Sequence, residues 1–171
     1  MNYRLIVHQL GLIVLVLSAV LFGIWIWSSI ALGFLGGGVV ALLWSTGISA
    51  LLGSALYLFG KPGKHKQGTG AMGRREALLL VSSSWFIGAI VAALPFLIWG
   101  RTNEDGSHPF HSIVNCFFEA MSGLTTTGAT ILTDISTVPE PLLFWRSMIQ
   151  WLGGIGIVVL FVAVLPSLGV G

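Results

Sequence analysis

Four apolar stretches, Leu5 to Trp27, Ile30 to Phe59, Ala77 to Trp99 and Leu142 to Leu165, are each long enough to cross a bilayer, and they constrain the fold of this 171-residue chain more than anything else in it. Helix rises 1.5 Å per residue, so the first stretch, polar only at His8, Gln9 and Ser18, covers about 34 Å against a hydrocarbon layer of about 30 Å. Inside that layer a chain must satisfy its own backbone hydrogen bonds, so an all-α integral membrane protein is predicted. Composition agrees. Hydrophobic residues make up 55% of the chain and charged ones 8%, with a mean hydropathy of +0.93, whereas soluble domains carry about 25% charged residues.

Several classes are excluded or demoted on the same grounds. A net charge of +2 is too small to call for a nucleic-acid partner. The single cysteine, Cys116, cannot form an intrachain disulfide. Met1 to Arg4 followed by an apolar run imitates a secretory signal, but Leu5 to Trp27 exceeds the ~7 to 15 residue core of such a peptide, so the run is expected to stay as a helix.

The order of polar and apolar segments predicts a topology. Residues 1–59 form two leading transmembrane helices, interrupted at Ser28-Ser29, with Gly36-Gly37-Gly38 marking a turn, break or interface. Gly33, Gly37, Gly47, Gly53 and Gly60 offer close-approach surfaces for helix packing in lipid. Residues 60–76 form a basic loop in which Lys61, Lys64, Lys66, Arg74 and Arg75 face the single acid Glu76. Short loops this basic stay in the cytoplasm, which puts the N-terminus of a multi-pass plasma-membrane protein there too. Residues 77–171 then form one unit: an outer helix over 77–99, broken late by Pro95, a re-entrant helix over 112–124, a loop over 125–130 and an inner helix over 142–165. Arg101 to His111, with Glu104 and Asp105, and Ile131 to Pro141, with Asp134 and Glu140, are polar and external.

The re-entrant segment is decisive for function. About a dozen apolar residues are too few to cross, so Ser112 to Leu124, with Ser112 as N-cap, is predicted to enter half-way and return. The return is the run Gly123-Leu124-Thr125-Thr126-Thr127-Gly128-Ala129-Thr130, a polar, glycine-punctuated loop at membrane depth. Irregular backbone persists there only when buried in protein or lining a water-filled path. Its carbonyls are therefore candidates for replacing the hydration shell of a cation, as in an ion filter open to the outside. Gly128 can take the positive φ such a path needs, while Thr125, Thr126 and Thr127 aim carbonyls at the ion and turn hydroxyls to the supporting backbone. The helix macrodipole adds partial negative charge beside Gly123 and Leu124, which favours a cation.

Phe117 to Thr130, followed by Trp145-Arg146-Ser147-Met148-Ile149-Gln150-Trp151-Leu152-Gly153-Gly154-Ile155-Gly156, resembles the first pore repeat of Trk-type potassium-uptake permeases, in the Trk, Ktr and HKT superfamily. The similarity is sharpest from about Asn115 to Gly171, and two leading helices also suit the Trk branch. The resemblance implies potassium uptake, and no enzyme activity and no organic cofactor, through a pore of four unequal helix, pore-loop, helix repeats in one chain. It also implies a bacterial inner-membrane location, symport, a homodimer and a cytoplasmic nucleotide-binding regulatory subunit. Carried over by position, Thr126 and Thr127 match the residues whose backbone oxygens meet potassium, Gly128 matches the filter glycine, and Thr125 and Ala129 flank them. With one repeat the chain cannot close a four-sided filter, so it is expected to be the N-terminal part of a longer pore subunit, or else to assemble as four copies.

Competing readings are weaker. A scaffold or assembly subunit whose Thr loop merely touches a partner is the alternative function. Gly68-x-Gly70-x-x-Gly73 matches a dinucleotide fingerprint, but no strand precedes it. His108 and His111 with Asp105 and Glu119 could be imagined around zinc, yet histidines beside Pro109 in a loop are expected simply to face solvent. Glu119, inside the re-entrant helix, needs a partner if buried, and a supporting contact to filter backbone or to Arg146 is expected. Arg146 otherwise reads as an arginine snorkelling to the headgroups. The tryptophans at 25, 27, 85, 99, 145 and 151 suit an aromatic belt, and Gly153, Gly154 and Gly156 suit close packing or a hinge.

Overall fold

In a computed structural model of the chain, residues 3–34, 36–61, 74–103 and 106–164 are described. Lys64 and Lys66 of the basic loop, the Gly68, Gly70 and Gly73 motif, Glu104, Asp105 and the chain from Leu165 onward lie outside the described residues. The protein is all-helical, with no strand among the described residues. Its helices are α1 (Tyr3–Leu32), α2 (Gly37–Phe59), α3 (Arg74–Thr102), α4 (Ile113–Leu124) and α5 (Glu140–Val164). Short 3-10 turns at Pro109–His111 and Ile135–Thr137 lead into α4 and towards α5. By length and hydropathy, α1, α2 and all but the first residue of α3 qualify as membrane spans; α5, at 25 residues, has comparable length.

Two expected interruptions are corrected. Helix α1 runs straight through Ser28-Ser29 and stops at Leu32. Serine does not end a helix whose backbone ladder is intact; the stop comes at Gly33, whose φ of +85° turns the chain while its amide still reaches the Ser29 carbonyl at 3.1 Å. Pro95 likewise lies inside α3, which continues to Thr102. In the turn before that proline the Ala92 carbonyl accepts a hydrogen bond from Trp145 Nε1 at 2.9 Å, which ties α3 to α5 beside the proline.

Helices α1 and α2 form an antiparallel hairpin whose seam relies on missing side chains. A Cβ on Gly11 would stand 2.4 Å from the Tyr57 amide nitrogen, and one on Gly60 would stand 2.3 Å from that of His8. Gly47, also expected at a packing surface, faces open space instead. Along the same seam Ser18 donates to the Thr46 carbonyl at 3.1 Å.

The core that positions the loop is shared by α1 to α5 and centres on Leu21, Leu42, Phe96, Phe110, Leu142 and Trp145, all fully buried. Trp145 and Trp99 are therefore packing residues, whereas Trp27 and Trp151 are exposed. Dispersion and burial, not propensity, select the buried positions: a helix end places tryptophan equally well at the lipid headgroups or against a neighbour.

Candidate functional site

Helix α4 is amphipathic and short, and it ends where the polar loop begins. Ser112 does occupy its N-cap position, with extended backbone (φ −86°, ψ 125°), but the hydroxyl makes no capping bond. Asn115 Nδ2 instead donates to the Pro109 carbonyl at 3.0 Å, tying the helix start to the preceding 3-10 turn.

At the other end, the carbonyls of the last turn of α4 take up the amides of the loop. Thr125 N bonds to Met121 O at 2.9 Å and Thr126 N to Gly123 O at 2.9 Å, while Thr127 N and Gly128 N converge on Ser122 O at 3.0 and 3.5 Å. Helices leave such carbonyls without intrahelical partners, so the loop caps the helix as the helix orients the loop. With four consecutive N–H groups turned to α4, the carbonyls of Thr125 to Gly128 accept none of the hydrogen bonds found among the described residues.

Backbone hand alternates along this stretch. Thr125 sits at φ −78°, Thr126 at φ +57° and Gly128 at φ +73°. Thr126 is the one non-glycine with positive φ among the described residues. For a β-branched residue that conformation is a genuine outlier, of the kind that survives where surrounding contacts enforce it and that clusters at functional sites. Residues 125–130 are all exposed in this chain, leaving one side of the loop open.

Side chains fix the loop from behind. Thr125 Oγ1 donates to Met121 O at 2.8 Å. Its one proton is thereby used, so in the 2.9 Å contact between the hydroxyls of Thr125 and Thr127 the donor is Thr127. Ser122 Oγ donates to the Ala129 carbonyl at 2.7 Å. Ala129, grouped by sequence with the ion-binding residues, thus has its carbonyl engaged by the helix. Helix α5 backs the whole arrangement: the base of the loop rests on Gly153, the Thr126 methyl lies 3.9 Å from where a Cβ on Gly154 would sit, and Gln150 Nε2 lies at the same distance from one on Gly128.

Glu119 and Arg146 come together. Glu119 is 1% exposed, and its Oε1 accepts from Arg146 Nε at 2.5 Å. The same carboxylate accepts from the Thr130 hydroxyl, at 2.9 Å to Oε1, and from the Ile131 amide, at 3.1 Å to Oε2. Arg146 is therefore bound to the helix behind the loop, not free to snorkel.

The histidines go elsewhere. His108 is buried, not solvent-facing as expected; its Nδ1 accepts from Phe110 N at 3.2 Å and its ring meets Trp99 edge-on at 4.8 Å between centroids. It is a core residue of the 3-10 turn. No three His, Cys, Asp or Glu residues cluster to hold a metal among the described residues.

Sequence reasoning missed Ser122, Thr130 and the left-handed Thr126. A serine three residues before a Thr-Gly loop gives no signal distinguishing a tether from an ordinary small packing residue. Positive φ is assigned by sequence to glycine, so only the structure could add the left-handed backbone of Thr126, a residue already named for its carbonyl.

The family model of TrkH, described as a cation transport protein, matches residues 65–171, which hold α3, α4, the loop and α5. The chain belongs to the TrkH family of cation transport proteins. That is a family of transporters and not of enzymes. Over its full length the chain is 37% identical to the Trk system potassium uptake protein TrkH of Escherichia coli (strain K12), covering 32% of that protein. It is 40% identical over 96 residues to TrkI of Halomonas elongata, covering 56% of this chain and 18% of that one. The crystal structure of the potassium transporter TrkH from Vibrio parahaemolyticus superposes with a TM-score of 0.79 at 30% identity, covering 100% of this chain and 33% of that one. The chain thus spans about a third of the length of the full-length-matched relatives.

Proposed function

We propose that this TrkH-family chain supplies one wall of a four-sided filter through which potassium is taken up across the bacterial inner membrane. The observation that carries the reading is the left-handed pair Thr126 and Gly128, at φ +57° and +73°, within a stretch whose amides all face α4. With N–H groups committed on one side, the carbonyls of Thr125, Thr126, Thr127 and Gly128 are the oxygens available on the other. A potassium ion passes such oxygens if they replace its hydration shell at nearly equal free energy.

The negative end of the α4 dipole points towards this position and favours a cation there. The remaining walls come from the further pore repeats of the full-length permease. Inward movement of a cation is driven by the membrane potential, about 2.3 kcal/mol per charge per 100 mV. In this reading the N-terminus and the basic segment around Lys61, Arg74 and Arg75 are cytoplasmic, and the permease works as a homodimer with a cytoplasmic nucleotide-binding subunit.

Potassium-limited growth and potassium uptake, in cells without other potassium uptake, test the reading. The full-length permease should support both. Gly128→Ala should abolish them, and Gly47→Ala, on an open helix face, should not. Uptake indifferent to Gly128→Ala would overturn the filter, and no uptake by the full-length protein would leave a non-transporting scaffold or assembly subunit.

A further inference from the structure

The loop is held at two ends by different means. Its first half, Thr125 to Gly128, is tied by backbone amides to the end of α4. Its second half, Thr130 and Ile131, is tied to a side chain one α4 turn earlier, the carboxylate of Glu119. Arg146 of α5 completes the cluster through Nε.

Two roles are open to such a pair in a membrane. In one, Arg146 merely neutralises a buried acid, since an uncompensated charge at membrane depth is costly. In the other, the carboxylate is needed for its acceptor geometry. The bonding pattern favours the second. Of the donors on Glu119, two belong to the loop itself, the Thr130 hydroxyl and the Ile131 amide, and the hydroxyl lies within 3.1 Å of both carboxylate oxygens. Thr130 Oγ1 in turn accepts from Leu132 N at 3.1 Å, so the tie extends over three consecutive residues. A neutraliser would need none of these. Both carboxylate oxygens are used as acceptors, and Arg146 orients the group from the α5 side.

We infer that Glu119, oriented by Arg146, is a selectivity-determining positioning residue: it fixes the outer half of the filter loop at the spacing that suits potassium over sodium. The inference rests on the filter reading above. An ion smaller than potassium demands that the carbonyls close in, and a loop braced at Thr130 and Ile131 resists that movement. Loosening the brace lets the loop follow the smaller ion.

The test is the ratio of potassium to sodium uptake, measured in competition on the full-length permease together with the amount of folded protein in the membrane. Glu119→Gln keeps the shape but presents an NH2 group where a donor must be accepted, and should lower potassium discrimination about tenfold or more, the loss expected when a buried charge-assisted hydrogen bond is removed. The neutral double variant Glu119→Gln with Arg146→Gln removes any buried unpaired charge and should still discriminate poorly. Thr130→Val leaves both charges in place and should shift the ratio in the same direction by a smaller factor.

Wild-type discrimination in the double variant would overturn the inference, because neutralisation alone would then explain the pair. So would an unchanged ratio in Thr130→Val, which also serves if the charge variants do not reach the membrane. Gly128→Ala run alongside separates the two levels of the argument: if it abolishes uptake while the Glu119 and Thr130 variants discriminate normally, the brace fails and the filter stands.

Discussion

The carbonyl oxygen of Leu124 rests directly on Gly153. A Cβ at position 153 would lie 2.0 Å from that oxygen, and the obstacle is backbone, which cannot rotate aside as a side chain can. The base of the candidate filter and the inner helix α5 are thus in contact through a position where any side chain must move one of them. Gly153→Ala should cost about 1–3 kcal/mol as an overpacking change and should impair uptake. Gly47→Ala, facing open space, should be neutral or stabilise by about 0.5–1 kcal/mol. Thermal melting of the detergent-solubilised protein ranks the two. Equal melting temperatures for both variants would contradict the contact.

Thr126 and Gly128 make a second comparison. Both hold positive φ, but only Thr126 carries a Cβ there, a conformation that costs an L-residue roughly 1–2 kcal/mol. Thr126→Gly removes that cost and should retain uptake, whereas Gly128→Ala adds it and should not. Uptake measured side by side decides, and the reverse order would show that the Thr126 conformation is not what the loop requires.

Ser122 ties the helix to the far side of the loop through Ala129. Ser122→Ala removes one hydrogen bond and should lower stability by about 1 kcal/mol, with weaker protection of the potassium-bound form against heat. The readout is the rise in melting temperature on adding potassium in place of choline. A rise as large as that of the wild type would show that the tether does not hold the loop.

Much of this was legible in the chain, for reasons that can be named. Apolar length alone gives the long helices, because nothing else satisfies backbone in hydrocarbon, and the shortness of the run before Thr125 separates α4 from them. What was not legible depends on neighbours. Ser28 and Ser29 look like a break because polar residues interrupt an apolar run, but the backbone ladder ignores side-chain polarity and Gly33 makes the turn. Pro95 looks like an end, yet α3 is packed on its neighbours and Trp145 bonds to it at Ala92. In the site, glycine marks positive φ at 128, while the same hand at Thr126 is imposed by amides that bond to Gly123 and Ser122, a constraint invisible until the loop is folded back on α4. His108 looked like a loop histidine because burial behind Trp99 comes from packing, not from sequence pattern.

The Trp145 bond to Ala92 joins α5 to α3 across 53 positions of sequence. Trp145→Phe removes the donor and also part of a fully buried ring, so a loss of about 1–3 kcal/mol is expected. Chemical-denaturant titration of the membrane-extracted protein measures it. No loss would mean that neither the hydrogen bond nor the packing of the indole joins the two helices.

Whether the Thr125 to Gly128 carbonyls hold potassium is read most directly by locating bound monovalent cations through anomalous scattering, in crystals of the full-length permease grown with rubidium or thallium in place of potassium. A peak directly coordinated by main-chain oxygens from Thr125 to Gly128, lost in Gly128→Ala, is expected. A loop without any ion beside those carbonyls, in a protein that still transports potassium, would contradict it.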